Sequence, residues 1–306
     1  MTAPWKGAAG MIGLDWGTTS LRAYRLDQAG AVLDKRESKS GILSVKPGGF
    51  ADELRTIAGD WLEDSEKLVV ISGMAGSKQG WAEAPYLACP ASVPDIARAT
   101  LPVPFPATRV RMVPGLKARD ADGVPEVMRG EETQILGILD RLPEQETTLC
   151  LPGSHSKWVR VRAGQILDFS THMTGEVFAA LSAHTILARS LHRGAAHHPG
   201  AFARGLDRAR QGGGLLHQLF GLRSLSLFDA MPQMEAASYL SGLLIGHEVA
   251  AALEAGVAPP VHIIGAAALT LRYSAALSAF GIPSVTEEED AAAFGLFRIG
   301  SAIENA

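Results

Sequence analysis

The apolar run at residues 11–14 has the character of a strand buried on both faces, and the alternating residues 21–26 that of a strand half buried. Between them lies the polar turn Asp15-Trp16-Gly17-Thr18-Thr19-Ser20, so the chain opens as strand, turn, strand. A third strand is expected at 31–37 after the turn Asp27-Gln28-Ala29-Gly30. Residues 50–63 carry apolar side chains at helical spacing, and 67–72 is a short buried strand.

This opening recurs. When the sequence is slid along itself, Gly17 falls on Gly153, Thr18 on Ser154 and Ser20 on Ser156. After a short deletion Gly30 falls on Gly164, and Val32-Leu33-Asp34 on Ile166-Leu167-Asp168. A repeat of this kind in a chain of 306 residues implies two similar lobes, expected at 1–140 and 141–306. The second lobe then shows a helix at 176–190, a Gly- and His-rich surface stretch at 192–214, a long helix at 234–255 and a strand at 261–264. Thr286, with Glu289 three residues on, has the form of a capping box for a final helix whose apolar face is 291–299. Pro102, Pro104 and Pro106 mark an irregular connector.

Composition narrows the partners. Lys and Arg number 28 against 32 Asp and Glu, without runs of either sign, which argues against nucleic acid. The first ten residues lack the apolar core of a signal peptide, and no run reaches the roughly 20 apolar residues of a bilayer span, so a soluble cytoplasmic protein without a membrane partner is expected. Two cysteines, Cys89 and Cys150, suit a reducing compartment and exclude a disulfide framework. The oligomeric state is not written in these patterns, and a homodimer stays open.

The turns carry the candidate chemistry. A strand ending in Asp15, followed by Gly17, Thr18 and Thr19, brings backbone N–H groups and hydroxyls against phosphate oxygens while the carboxylate holds a hydrated magnesium ion. The second turn, Pro152-Gly153-Ser154-His155-Ser156-Lys157, offers the same donors and a cation. No Walker A sequence is present, so clamping by paired turns remains the way to hold a triphosphate; no G-x-G-x-x-G follows the first strand, which argues against a nicotinamide enzyme. Glu131 and Glu132 open an apolar helix, where either is placed to serve as a base or simply to suit the helix dipole. Gly265 and Ala266, at a strand end, leave room for a flat nucleoside. Ser72-Gly73-Met74-Ala75-Gly76-Ser77-Lys78 reads as a substrate loop, with Ser72, Met74 and Lys78 as contacts; for a ligand that carries a carboxylate the candidate cations are Arg129, Lys157, Lys78 and His155, with arginine best suited to bidentate capture. His192, His197 and His198 lack acidic partners and read as a solvated loop, while His247-Glu248 lacks the second histidine of a zinc-protease helix.

In order, 15–20, 131–139, 153–157, 265–269 and 290–297 resemble the two phosphate turns, adenosine turn and two connecting helices of the sugar kinase, Hsp70 and actin superfamily. More narrowly, Leu14-Asp15-Trp16-Gly17-Thr18-Thr19, Ser72-Gly73-Met74, Val113-Pro114-Gly115-Leu116, Met128-Arg129-Gly130-Glu131-Glu132-Thr133-Gln134, Leu151-Pro152-Gly153-Ser154-His155-Ser156-Lys157-Trp158 and Met173-Thr174-Gly175-Glu176 are similar to the 2-dehydro-3-deoxygalactonokinase family. The resemblance implies an α/β, two-lobed actin-like or ribonuclease H-like ATPase fold, each lobe a mixed sheet flanked by helices, with the active site in the cleft. It implies ATP and Mg2+ as cofactors, transfer to the C6 hydroxyl of 2-dehydro-3-deoxy-D-galactonate, and Thr174 among the substrate contacts. Leu151-Pro152 stands where many superfamily members have an acidic residue, which moves the expected base to Glu131 or Glu132. A kinase of another sugar or 2-keto-3-deoxy acid, or an ATP-driven switch, are the alternatives.

Overall fold

β1 (Met11–Trp16) and β2 (Leu21–Leu26) form the expected hairpin, although the strand runs past Asp15, so that this carboxylate is part of the ladder opposite Arg22. The computed structural model describes residues 10–63, 68–192, 194–287 and 290–305. Two units each have their own core: the first holds residues 1–145, 161–169 and 288–306, the second 146–160 and 170–287.

In the first unit β3 (Val32–Ser38) pairs antiparallel with β2, and α1 (Phe50–Glu63), kinked at Ala58, leads into β4 (Leu68–Gly73), which runs parallel to β1. Lys67, placed in this strand by the sequence pattern, lies outside the described residues. β5 (Tyr86–Ala88), β6 (Ala91–Ser92), α2 (Val93–Arg98), β7 (Leu101–Val103), β8 (Arg109–Met112), β9 (Gly115–Arg119), β10 (Pro125–Met128) and α3 (Glu131–Ile138) follow. The main sheet has the order β3-β2-β1-β4-β8-β7, and β10-β9-β5 form a small second sheet. The connector expected around Pro102 is in part the strand β7. That strand is at the sheet edge, where a proline costs the ladder no central bond. Ile12, Leu14, Trp16, Leu54, Trp61 and Ile71 fill the core between sheet and α1. The continuous apolar run of β1, buried along almost its whole length, is what made the strand legible.

The second unit opens with the repeat: β11 (Thr147–Leu151), β12 (Ser156–Arg162) and β13 (Gln165–His172). Residues 161–169 are grouped with the first unit, where Gln165 and Ile166 pair with Ser92 and Ala91. α4 (Thr174–His184) stops six residues short of its expected end, because Thr185 turns extended before a short 3-10 turn, Ile186–Ser190. The stretch 192–214 is not all loop: it contains α5 (Pro199–Arg210), which buries Ala201, Phe202, Leu206 and Ala209. Its helical spacing is masked in sequence by glycine and arginine, and His198 caps its start, with Nδ1 accepting from the Ala201 N–H at 3.1 Å.

α6 (Leu215–Leu227), also unforeseen, precedes α7 (Gln233–Ala255), the one helix among the described residues long and apolar enough by composition to cross a bilayer. α7 is instead packed in the unit, crossing α5 at Gly205 and Gly242. An added Cβ at Gly205 would fall 2.2 Å from the Tyr239 carbonyl oxygen, so the two backbones touch. β14 (Val261–Ile263), α8 (Ala267–Ala279) and β15 (Ser284–Thr286) complete the unit, with β14 parallel to both β11 and β15. Thr286 therefore ends a strand rather than capping a helix, and Glu289 lies outside the described residues.

α9 (Ala291–Glu304) starts after Asp290 and belongs to the first unit, against the simple cut after residue 140 expected from sequence. The reason is close packing on α3. A Cβ at Gly137 would lie 1.9 Å from the Ala291 oxygen, and one at Gly295 would lie 1.8 Å from the Thr133 oxygen.

Candidate active site

In the first unit Asp15 sits in the central strand with Arg22 beside it on β2 and Ser72 beside it on β4. Its Oδ2 is 3.8 Å from the Arg22 guanidinium, which also reaches Glu37 at 3.5 Å. Burial pushes the Asp15 carboxyl above its ordinary value, and Arg22 only partly offsets this. The following turn is braced from outside the hairpin: Ile42 and Leu43 donate their N–H groups to the Gly17 and Thr18 carbonyls, at 3.0 and 3.2 Å. Thr18 and Thr19 are thereby left exposed on a fixed backbone, their hydroxyls open to a ligand.

The loop after β4 meets the start of α3. Gly73 has φ 92°, and a Cβ there would come 2.8 Å from the Trp16 carbonyl oxygen, so only glycine takes the chain out of the sheet at this point. Ser72 Oγ lies 2.8 Å from Thr133 Oγ1, joining the loop to the helix that carries both glutamates. Glu131 accepts the Arg129 N–H at 3.0 Å, and Glu132 accepts the Gly130 N–H at 2.7 Å. Glu132 is wholly buried, which together with the neighbouring Glu131 charge pushes its carboxyl up to about 8 against the pull of the local N–H groups.

Arg129, 9% exposed, donates from Nη2 to the Ala84 carbonyl at 2.7 Å and lies over the Tyr86 ring at 4.4 Å. Among the described residues its Nε and Nη1 are buried without a hydrogen-bond partner, as is the Ser77 hydroxyl. Gly76 leaves the room that Nη1 occupies, since a Cβ there would be 2.9 Å away. Ser72, Met74, Arg129, Glu131 and Glu132 are thus brought to one junction, while Lys78 is exposed on the loop itself.

In the second unit the turn 152–157 and Gly265-Ala266 lie side by side because β11 and β14 are parallel neighbours and both turns leave the same edge. A Cβ at Gly265 would touch Pro152 at 3.7 Å. Gly175 presses on the same turn, where a Cβ would meet the Gly153 oxygen at 2.4 Å, so Thr174 is held next to it at the head of α4. Ser154 and His155 are exposed, with the His155 ring against the Glu176 carboxylate. Ser156 and Lys157 are turned inward: Ser156 Oγ lies 2.8 Å from the Tyr273 hydroxyl, and Lys157 Nζ donates to Thr171 at 2.8 Å.

Next to these turns are a small pocket of Gly153, Thr174, Leu269 and Arg272, and a cavity of about 500 Å³ lined by Phe178, Ser182, His192, His197, Ser241 and Arg272. Of the histidines read as solvated loop, His192 and His197 therefore line a cavity, whereas His198 caps α5 and, against the expected lack of acidic partners, lies 3.6 Å from Glu235. Arg272 and Tyr273 carry no mark in the sequence, and Glu248 reads there only as part of an incomplete zinc-protease pattern. Glu248 alone left a signal, an acid in the middle of an apolar helix.

The family model described as 2-keto-3-deoxy-galactonokinase matches residues 15–299, from Asp15 into α9. The chain belongs to this family. It is 35% identical to the 2-dehydro-3-deoxygalactonokinase of Escherichia coli K12 over 96% of this chain and 98% of the relative. It is 37% identical to a Rhizobium meliloti protein assigned as 2-dehydro-3-deoxygalactonokinase DgoK1, over 88% of this chain and 89% of the relative. A crystal structure of a Sinorhizobium meliloti protein assigned to the same activity superposes with a TM-score of 0.88 at 34% identity, covering 96% of this chain and 98% of the other. Xylulose kinase from Lactobacillus acidophilus shares the fold alone, with a TM-score of 0.52 at 10% identity and 98% and 90% coverage. As a 2-keto-3-deoxy-galactonokinase family member the chain is a carbohydrate kinase that uses ATP, and its fold is shared with a sugar kinase.

Proposed function

We propose that this kinase transfers the γ-phosphoryl group of ATP to the C6 hydroxyl of 2-dehydro-3-deoxy-D-galactonate, giving the 6-phosphate and ADP. The observation that carries the choice of an acid over a neutral sugar is Arg129. Its buried guanidinium has two N–H-bearing nitrogens without partners among the described residues, a costly state that a substrate carboxylate would relieve by charge-assisted hydrogen bonds.

The Glu131 and Glu132 pair orients the acceptor hydroxyl. Glu132, pushed up to about 8, is the member matched to taking its proton near neutral pH as the new O–P bond forms and the bond to the β-phosphate oxygen breaks. In the first unit Thr18, Thr19 and the backbone of their turn are donors suited to phosphate oxygens, and in the second unit Ser154, His155 and the backbone of theirs are donors of the same kind. Asp15 is the residue that would hold Mg2+: its carboxylate is desolvated and only loosely partnered by Arg22, and a divalent cation supplies the counter-charge that site lacks. Bound there, the metal neutralises charge on the triphosphate. The adenosine occupies the space beside Gly265 and Ala266, toward Arg272. Two free cysteines are in keeping with action in the cytoplasm.

Coupled ADP release across 2-keto-3-deoxy sugar acids and neutral sugars tests the reaction and substrate together, and phosphorus NMR of the product locates the phosphate. Turnover confined to neutral sugars would overturn the assignment of Arg129 and of the substrate class.

A further inference from the structure

A buried acid lies behind the second phosphate turn. Glu248, on α7, is 3% exposed, and burying a carboxylate among apolar side chains is costly unless donors converge on it. Two do: Trp158 Nε1 donates to Oε1 at 2.8 Å, and the Tyr273 hydroxyl donates to Oε2 at 2.7 Å. A phenol has a single proton, so with that proton on Glu248 the Tyr273 oxygen can only accept. Ser156 Oγ, 2.8 Å away and wholly buried, must then donate its own single proton to Tyr273. What remains on Ser156 is lone pairs, and these face the Gly153 N–H at 3.5 Å, the long end of a hydrogen bond. The polarity therefore runs one way, from Gly153 through Ser156 and Tyr273 to Glu248. Burial first and the Glu248 charge second hold the Tyr273 hydroxyl far above its ordinary value, in keeping with its role as donor.

We propose that Glu248 and Tyr273 are positioning residues for nucleotide binding, fixing the Ser156 hydroxyl away from the ligand and, through it, the conformation of the turn at Gly153. This rests on reading the turn 152–157 as a nucleotide-phosphate site. It also changes the role expected of Ser156 from sequence. With its proton committed inward, Ser156 shapes the turn and leaves phosphate contact to the exposed Ser154, His155 and backbone.

The test uses the full-length kinase and the variants Ser156→Ala, Tyr273→Phe, their double and Glu248→Gln, with KM for ATP, KM for the sugar acid, kcat and thermal unfolding measured for each. Tyr273→Phe and Ser156→Ala are expected to raise KM for ATP about tenfold, with KM for the sugar acid changed less than about twofold. The double variant should be no worse than the more affected single one, because both cut one chain. Glu248→Gln can accept only one of the two donors and should weaken ATP in the same selective way. Should Tyr273→Phe fail to fold, Ser156→Ala, which removes a single oxygen, decides. A folded Ser156→Ala enzyme with wild-type KM for ATP, equal effects on both substrates, or additive single effects would overturn the relay while leaving the kinase reading intact. A wild-type protein that neither binds nor turns over ATP would overturn both.

Discussion

At the scale of single residues, Glu132 gives a prediction with a sign. The unfolded chain releases this proton near its ordinary value of 4.5, whereas the folded protein keeps it until about 8, so between those limits the folded state binds more protons. Its contribution to stability falls as pH rises through that window and levels off above it, by on the order of a few kcal/mol. Glu132→Gln keeps an acceptor for the Gly130 N–H and removes the titration. Its melting temperature should therefore gain on wild type as pH goes from about 5 to about 8; parallel pH profiles would show that Glu132 does not carry the raised carboxyl. Turnover by the same variant should drop by about 10²-fold or more if Glu132 takes the hydroxyl proton, while Glu131→Gln should be slowed far less. Arg129→Lys tests the neighbouring site. A lysine keeps the charge but not the planar fork, so KM for the sugar acid should rise about tenfold or more with KM for ATP unchanged. An equal rise in both would make Arg129 a brace for the loop through Ala84 and nothing more.

At the scale of elements, helix contacts are set by glycines whose missing side chains let backbones meet. Gly295→Ala would drive a methyl to within 1.8 Å of the Thr133 carbonyl, and overpacking of this kind costs about 1–3 kcal/mol or more. Gly221 in α6 has nothing within 4 Å of the corresponding position, so alanine there should stabilise by about 0.5–1 kcal/mol through helix propensity. Thermal unfolding should move in opposite directions for the two variants, and a loss at both would refute the packing argument. These contacts also show what the sequence could and could not reveal. Strands β1, β2 and β4 and helices α1 and α7 were legible because their apolar spacing is dense and their ends are marked by turn residues. α5 was not: its buried face, Phe202, Leu206 and Ala209, is interleaved with Gly205 and with arginines, and it is Gly205 that lets the helix pack. The start of α9 was misplaced because a capping-box pattern at Thr286 coincided with the end of a strand, where parallel pairing with β14 outweighs a local cap.

At the scale of the whole molecule, the repeat carried most of the information, since one strand-turn-strand pattern is legible twice in the sequence and both hairpins form. Residues that act through burial left little trace: Tyr273 sits on α8 with no motif around it, and the inward turn of Ser156 depends on partners more than ninety positions away. Asp15 has a trace and a consequence for the entire fold. A ligand that binds only the native state raises its stability by mass action, about 2.7 kcal/mol at a hundred times its dissociation constant, which for a chain of this size is a rise of about 5 °C in melting temperature. A non-hydrolysable ATP analogue should give part of this rise alone and the rest only with Mg2+. Asp15→Asn removes the charge that would hold the metal while also relieving a desolvated carboxylate, so the unliganded variant should melt no lower than wild type. Adding analogue should still raise its melting temperature, but adding Mg2+ should contribute nothing further, because the phosphate donors of the turns remain and the metal's protein ligand does not. A Mg2+ increment of wild-type size in Asp15→Asn would place the metal elsewhere, and a variant that melts lower without ligand would make the Asp15 and Arg22 pair a structural contact.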